Sequence, residues 1–254
     1  MKIILKQSIS WVILLLFSSN ALAAEGHFYL GGSIGASRAE LEDSNPEINY
    51  YYGYLNDAYP LDASHETAAI YGITGGYEFL GRGLMPAIAL GLGLYTTEKY
   101  DFTGQLVETA LGGSPSTLYD YEFDLRSQRI MAEAQFTWSL FNLAPFVNVG
   151  VGSAWNRLSG YTESPVDSTG YVPLPGFQSH TDNNLAYQLG LGVGYGFNFL
   201  KDTKDFQHER ILLGYRYANL GDASFETRGI NYPYKIGFDN VTTNELYFTY
   251  MHLF

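Results

Sequence analysis

The sequence predicts an all-β fold, an eight-stranded antiparallel up-and-down transmembrane β-barrel with four long extracellular loops and three short periplasmic turns. Three observations support this prediction. Eight segments alternate apolar residues with small or polar ones, and the connections between them alternate between long and short. The bulky apolar residues also share one face of each strand. An eight-stranded barrel is too narrow to hold that face in its interior, so the face must point outward. A soluble barrel or sandwich, the alternative, would instead present polar residues to the outside.

The chain begins with a segment typical of a secretory signal peptide, residues 1–23. Two lysines precede the apolar run 11–17, and residues 21–23 (Ala-Leu-Ala) offer a small-residue cleavage site. The run is well short of the roughly 20 apolar residues that a spanning helix needs. We therefore expect cleavage and export, with residues 24–254 forming the outer-membrane barrel domain.

The composition narrows the class of protein further. The chain has no cysteine, which excludes disulfides, thiolate metal sites, cysteine nucleophiles and a lipoprotein anchor. Its formal net charge of -12 argues against nucleic acid as a partner. After the signal segment no run of 18 apolar residues occurs, so a helical membrane protein is excluded as well.

The eight predicted strands are each long enough for the ~9–11 residues with which a tilted strand crosses a bilayer. They are residues 27–38, 67–79, 86–97, 123–140, 145–157, 184–199, 209–219 and 243–254. The connections 80–85, 141–144 and 200–208 are short, whereas 39–66, 98–122, 158–183 and 220–242 are long. This alternation places all the short turns at one end of the barrel and all the long loops at the other.

The strand at 184–199 shows most clearly which face is which. Leucine, valine, tyrosine and phenylalanine alternate with Ala186, Gln188 and glycines at 190, 192, 194 and 196. The interior of an eight-stranded barrel is just wide enough for side chains to fill. The small residues are therefore predicted to face the lumen and the bulky ones the lipid, with aromatic girdles at both rims.

Four charged residues are predicted to face the lumen: Arg129, Glu133, Arg216 and Glu245. Folding the last hairpin symmetrically about residues 220–241 brings Arg216 opposite Glu245. A charge in a narrow lumen must be paired or hydrated. We therefore expect a structural network of ion pairs, with a narrow porin-like channel as the alternative.

Three stretches resemble the opacity-protein and OmpA-transmembrane-domain group of eight-stranded outer-membrane barrels. They are FYLGGSIGAS at 28–37, GYRYANLG at 214–221 and the aromatic last strand that ends on Phe254. The resemblance covers the chain after the signal segment. It implies a location in the outer membrane of a Gram-negative bacterium, in contact with outer-membrane lipid and lipopolysaccharide.

The same resemblance implies an assembly signal in the last strand. In the family, a terminal phenylalanine with apolar residues at alternate positions is read by the barrel-assembly machinery. Carried over to this chain, those positions are Leu246, Phe248, Tyr250 and Phe254, while position 252 departs from the pattern because it is histidine.

The loop at 39–66 is acidic and rich in tyrosine. It carries seven carboxylates and no Lys or Arg, and its tyrosines are Tyr50, Tyr51, Tyr52, Tyr54 and Tyr59. Tyrosine supplies large amphipathic contacts at low entropic cost, so these side chains are predicted surface contacts. The expected role of this monomeric barrel is adhesion, surface antigen or envelope integrity, with a host or matrix protein as candidate ligand.

Motifs for catalysis are weak. Residues 31–35 match G-x-S-x-G formally, but no helical pattern follows, and a dinucleotide fingerprint fails because position 195 is tyrosine. Residues 179–182 (Ser-His-Thr-Asp) come nearest to the pair found in lipid A deacylases, but the serine is misplaced and the segment is predicted to be a loop. We expect no enzyme activity, no cofactor and no metal site, with a lipid A-modifying enzyme as the weakest alternative.

Overall fold

The structure is a computed structural model that describes residues 25–42, 47–50, 55–81, 85–110, 117–140, 143–166, 177–197, 208–227 and 236–254. The predicted signal peptide, residues 1–23, lies outside this part of the chain, and so do Tyr51, Tyr52 and Tyr54. No helix long and apolar enough to cross a membrane occurs among the described residues.

Fifteen strands are present within the described ranges. They are β1 (Gly26–Glu40), β2 (Glu47–Tyr50), β3 (Leu55–Ala58), β4 (His65–Phe79), β5 (Ala87–Thr97), β6 (Tyr100–Ala110), β7 (Thr117–Thr137), β8 (Leu143–Pro165), β9 (Phe177–Gln178), β10 (His180–Phe197), β11 (Glu209–Asn219), β12 (Ala223–Ser224), β13 (Glu226–Thr227), β14 (Gly237–Phe238) and β15 (Thr242–Leu253).

Eight of these strands close into a ring. The order is β1, β4, β5, β7, β8, β10, β11 and β15, and β15 pairs again with β1. All pairings are antiparallel, and each of the eight predicted segments corresponds to one strand of the ring. The predicted fold class, an antiparallel up-and-down eight-stranded barrel, is confirmed. Closure leaves no unpaired strand edge, which is what a sheet needs in lipid.

The exterior of the ring carries an apolar belt. Its exposed members alternate with more buried residues along the ring strands. The inward face is not only small or polar, because Tyr29, Tyr95 and Tyr247 are buried there as well. The exposed members include Phe28, Leu30, Ile34, Ile73, Leu92, Leu94, Val149, Val151, Trp155, Leu185, Leu189, Leu191, Leu213, Leu246 and Phe248. Large apolar side chains that are this exposed around a whole barrel need a hydrocarbon solvent, so the belt is the transmembrane surface.

The long connections are more ordered than predicted. Strand β7 begins at Thr117 rather than at 123, and β8 continues to Pro165 rather than ending at 157. The predicted loop 98–122 contains β6, which pairs with β7 and with β3. Strands β2, β3 and β6, together with the first part of β7 and the last part of β8, thus form a sheet beyond the belt, which we call the extension. It forms because β6 has a period-two pattern, with Tyr100, Phe102 and Leu106 buried on one face.

Aromatic side chains pack the inside of the extension. Phe123 is central, with ring centroids 5.5 Å from Phe102, 5.5 Å from Phe225 and 5.4 Å from Phe238. Tyr59 belongs to this core: it is 1% exposed and lies edge-on to Tyr121. The prediction that Tyr59 is a surface contact is therefore wrong. Burying its ring against other aromatic rings stabilises the fold more than leaving the ring exposed to water.

Candidate functional site

Glu245 is the centre of the charged lumen. Its carboxylate accepts two hydrogen bonds from Arg129, Nη1 to Oε1 and Nη2 to Oε2, both of 2.8 Å. Arg216 donates from Nε to Oε2 at 2.7 Å, and the Thr243 hydroxyl donates to Oε1 at 2.8 Å. Arg216 lies directly opposite Glu245 in the pairing of β11 with β15, which confirms the predicted register.

Tyr95 connects this cluster to Glu133. The Arg216 guanidinium lies 4.0 Å from the centroid of the Tyr95 ring, and the Tyr95 hydroxyl donates to Glu133 at 2.6 Å. Gln188 donates to the same Glu133 oxygen at 2.6 Å. The structure thus brings all four predicted lumen charges into one network, in which two arginines balance two glutamates. Fully desolvated charges persist only when they are compensated in this way.

A second ion pair lies in the lumen nearer the opposite end of the barrel. Arg210 Nη1 lies 2.6 Å from Glu78 Oε2, and the Glu78 side chain is 1% exposed. Sequence analysis did not single out this pair. The alternation along β4 could have placed Glu78 on the lumen face. Its partner Arg210 is 132 residues away, so no local sequence pattern could have predicted the pairing.

The lumen glycines make room for the lumen tyrosines. A Cβ atom on Gly72 would lie 2.5 Å from the Tyr95 ring, and one on Gly93 would lie 2.6 Å from the other edge of that ring. Likewise a Cβ atom on Gly214 would lie 2.6 Å from the Tyr247 ring. The small residues therefore do not leave an open bore, because aromatic rings from neighbouring strands occupy the space.

One small cavity lies among the lumen side chains. A cavity of about 30 Å³ is lined by residues that include Tyr29, Tyr95, Glu133, Arg216 and Tyr247. That volume holds no more than about two water molecules. Above it lie the arginine-glutamate network and then the aromatic core of the extension. The described side chains thus fill much of the lumen.

The outer surface of the extension is acidic. Along β6 and β7, Asp101 lies opposite Asp124, Thr103 opposite Glu122 and Gln105 opposite Asp120. Asp101, Asp120 and Glu122 are exposed, and Asp124 is paired with Lys99. We call these four carboxylates, Asp101, Asp120, Glu122 and Asp124, the acidic face. These carboxylates lie on the paired strands β6 and β7.

The inner surface of the extension holds a different set of carboxylates. Burial and the neighbouring carboxylate of Glu108 raise the pKa of Asp57 from 3.8 to about 7. Burial is also the main cause that raises the pKa of Glu163 from 4.5 to about 7, against a hydrogen bond from Tyr161. Asp57 is 3% exposed and lies directly opposite Glu108. These groups take up protons near neutral pH.

The predicted assembly positions all face outward. Leu246, Phe248, Tyr250 and Phe254 are exposed on the belt side of β15. His252 keeps the same outward alternation, and its ring lies 4.7 Å from that of Phe254. Recognition of this strand by assembly machinery stays a prediction. The side chain of Tyr50, whose backbone ends β2, is not among the described features.

The segment 179–182 is not the loop that was predicted, because His180, Thr181 and Asp182 belong to β10. Ser224 donates to Asp182 at 2.7 Å, and His180 Nδ1 lies 3.3 Å from Glu226. The Ser224 hydroxyl is thus hydrogen-bonded to Asp182 and not to His180, unlike the serine of a Ser-His-Asp arrangement. Within the described ranges, no group of three or more His, Asp or Glu side chains is arranged to hold a metal ion.

The closed ring, the apolar belt and the plugged lumen define the class of protein: an eight-stranded outer-membrane β-barrel. Three solved structures are similar to it. Neisserial surface protein A is 16% identical over 89% of this chain and 97% of that chain, with a TM-score of 0.44. The outer membrane protein OprG from Pseudomonas aeruginosa is 14% identical over 90% and 96%, with a TM-score of 0.46. The outer membrane protein AlkL is 16% identical over 93% and 94%, with a TM-score of 0.45.

At these identities and TM-scores, the similarities carry no argument about what this protein does. No protein-family model matches the chain, and no curated protein sequence matches it. The functional argument therefore rests on the site itself.

Proposed function

We propose that this protein is a non-conducting outer-membrane barrel whose extension presents the acidic face to a cationic partner outside the cell. The observation that carries the proposal is the combination of a plugged lumen with an ordered, aromatic-cored sheet beyond the membrane. A channel would need a continuous polar path, whereas the described lumen is filled by its own side chains.

Rigidity supports a contact role for the acidic face. The face rests on the aromatic core, so its carboxylates are held in position before a partner arrives, and less conformational entropy is lost on binding. Its charge favours a basic protein surface, such as a lysine- or arginine-rich patch of a host or matrix protein. Of the tyrosines that the sequence predicts as surface contacts, Tyr59 is buried and takes no part in this face.

Binding of the purified barrel in detergent to a lysine-rich peptide and to a panel of purified matrix proteins tests the proposal. Asp120→Asn combined with Glu122→Gln should weaken binding about tenfold, and binding should weaken as salt rises. Asp239→Asn, which removes an exposed carboxylate between β14 and β15, is the matched control and should bind as the native chain does. Equal binding by the native chain and the double variant would contradict the proposal.

We propose no catalytic role. Lipid A extracted from cells that overproduce the protein should have an unchanged mass spectrum, and a new lipid A species would contradict this part of the proposal.

A further inference from the structure

Two arginines face each other on the outer surface just beyond the apolar belt. Arg126 on β7 lies directly opposite Arg157 on β8, and both side chains are exposed. Trp155, an exposed member of the belt, precedes Arg157 by one outward position on the same strand. The pair therefore stands at the level where the hydrocarbon of the outer leaflet ends and the headgroups begin.

Like charges that lie directly opposite in an antiparallel sheet destabilise it unless a counter-ion is present. Among the described residues, no carboxylate lies within ion-pair distance of either guanidinium. Asp124, two positions from Arg126 on the same face, is paired with Lys99. Arg126 Nε donates to the carbonyl oxygen of Thr97 at 3.2 Å, which leaves its two terminal nitrogens for another acceptor.

The chemistry of the pair suits a phosphate. A guanidinium donates two parallel hydrogen bonds to phosphate oxygens, and two adjacent guanidiniums can hold one phosphate monoester or two neighbouring ones. A tryptophan at the membrane interface packs its ring against the acyl chain region below. Such an arrangement is matched by a lipid that carries phosphate on its headgroup, because only a lipid would contact both the arginines and the belt.

We propose that Arg126, Arg157 and Trp155 form a binding site for the phosphorylated headgroup of a lipid in the outer leaflet. The site adjoins the acidic face, whose Asp124 lies two positions from Arg126, but it does not depend on the partner proposed for that face. Lipopolysaccharide was expected from the sequence only as the general surroundings of the barrel, whereas this proposal assigns one position and the residues that hold the phosphate.

Trp155 supplies a reporter for this site. The chain has 3 tryptophans, of which Trp11 lies in the predicted signal peptide. A barrel refolded from residues 24–254 with Trp138→Phe therefore has Trp155 as its single tryptophan. The barrel is titrated in detergent with bisphosphorylated lipid A, with dephosphorylated lipid A and with inorganic pyrophosphate. A saturable change in the Trp155 fluorescence reports binding.

Bisphosphorylated lipid A should bind at least about tenfold more tightly than its dephosphorylated form, because the charge-assisted hydrogen bonds are lost with the phosphates. Arg126→Gln with Arg157→Gln should remove this preference, and Arg126→Lys with Arg157→Lys should retain part of it. Arg38→Gln is the matched control. Arg38 is exposed on β1, on the far side of the ring, and faces Asn244 and Thr67 instead of another arginine.

Equal affinity for the two forms of lipid A would overturn the proposal, and so would an equal loss in the Arg38→Gln variant. Pyrophosphate that binds as tightly as lipid A would overturn the assignment to a lipid, because it would show a site for a soluble phosphate. If the double glutamine variant does not refold, the proposal is tested by two other measurements. They are the affinities of the barrel with its native arginines for the two forms of lipid A, and the same affinities of the double lysine variant.

Discussion

Arg216 and Glu245 lie directly opposite each other on β11 and β15, and two nitrogens of the arginine each lie 2.7 Å from one carboxylate oxygen of Glu245. Arg129 reaches the same carboxylate from β7, across the lumen. One glutamate thus ties together strands on opposite sides of the ring.

Replacing Glu245 by glutamine should destabilise the barrel by roughly 3–5 kcal/mol, because it removes the one carboxylate that both buried arginines contact directly. The temperature at which the folded band converts to the unfolded band in gel electrophoresis measures the loss. Glu98→Gln, at an exposed position beyond β5, is the control. Unchanged heat-modifiable mobility of Glu245→Gln would show that the network does not stabilise the fold.

The native barrel should show no steady conductance in planar bilayers, because the arginine-glutamate network and Tyr95 fill the bore. Replacing Arg129, Arg216 and Glu245 together by alanine should produce a measurable leak, which shows that the assay can detect an opened lumen. A steady conductance of the native chain that Gly192→Leu abolishes would instead favour the porin-like alternative.

Gly72→Ala should cost about 1–3 kcal/mol, as is usual when a methyl group is forced into a packed interior. The Tyr95 ring cannot move away easily, since Arg216 stacks on it and the Tyr95 hydroxyl donates a hydrogen bond to Glu133. Gly32→Ala is the matched control, because nothing lies within 4 Å of a Cβ atom there. Equal thermal stability of the two variants would contradict this account of the lumen glycines.

The extension should be more stable in mild acid than at alkaline pH. The pKa of Asp57 is raised to about 7, so the folded extension holds a proton that the unfolded one releases. This stabilisation is fully present below the ordinary pKa of 3.8 and is lost as the pH rises through about 7.

Hydrogen exchange of the β3 and β6 amides between pH 5 and pH 8, corrected for the intrinsic rate, measures this dependence. Asp57→Asn should flatten it, and Asp101→Asn on the outer surface should retain most of it. A pH dependence that is the same in the native chain and in Asp57→Asn would contradict the assignment.

Removal of Phe254 should lower the yield of folded barrel in cells several-fold while leaving refolding in detergent unchanged. Phe254 is 65% exposed, so it contributes little packing to the finished barrel. Leu140→Ala, at an exposed position between β7 and β8, is the control. An equal loss in cells and in detergent would indicate a role in stability and not in assembly.

Much of the ring was predictable because the period-two alternation is a local property of each strand. Predicted and observed bounds agree at 209–219 and differ by one residue at the start of 86–97. The extension was missed where the same alternation, at Tyr100, Phe102 and Leu106, lay in a segment already assigned to a loop by its length. Beyond the membrane the bulky residues of β6 point to the interior of the extension. In the belt, the bulky residues point outward to lipid instead.

The candidate site divides in the same way. Arg129, Glu133, Arg216 and Glu245 could be placed on the lumen face one at a time, from strand alternation alone. The pairing of Glu78 with Arg210, and of Arg126 with Arg157, depends on how the strands are aligned with their neighbours.

The sequence by itself determined that the chain forms an eight-stranded barrel, which face meets lipid and that Arg129, Glu133, Arg216 and Glu245 face the lumen, because alternation along a strand is independent of its neighbours. The tertiary structure alone decided that the lumen is plugged, that Tyr59 is buried and that two arginines meet at the rim of the belt. The physical reason is that register and ring closure set these contacts, and both are properties of strands that are distant in sequence.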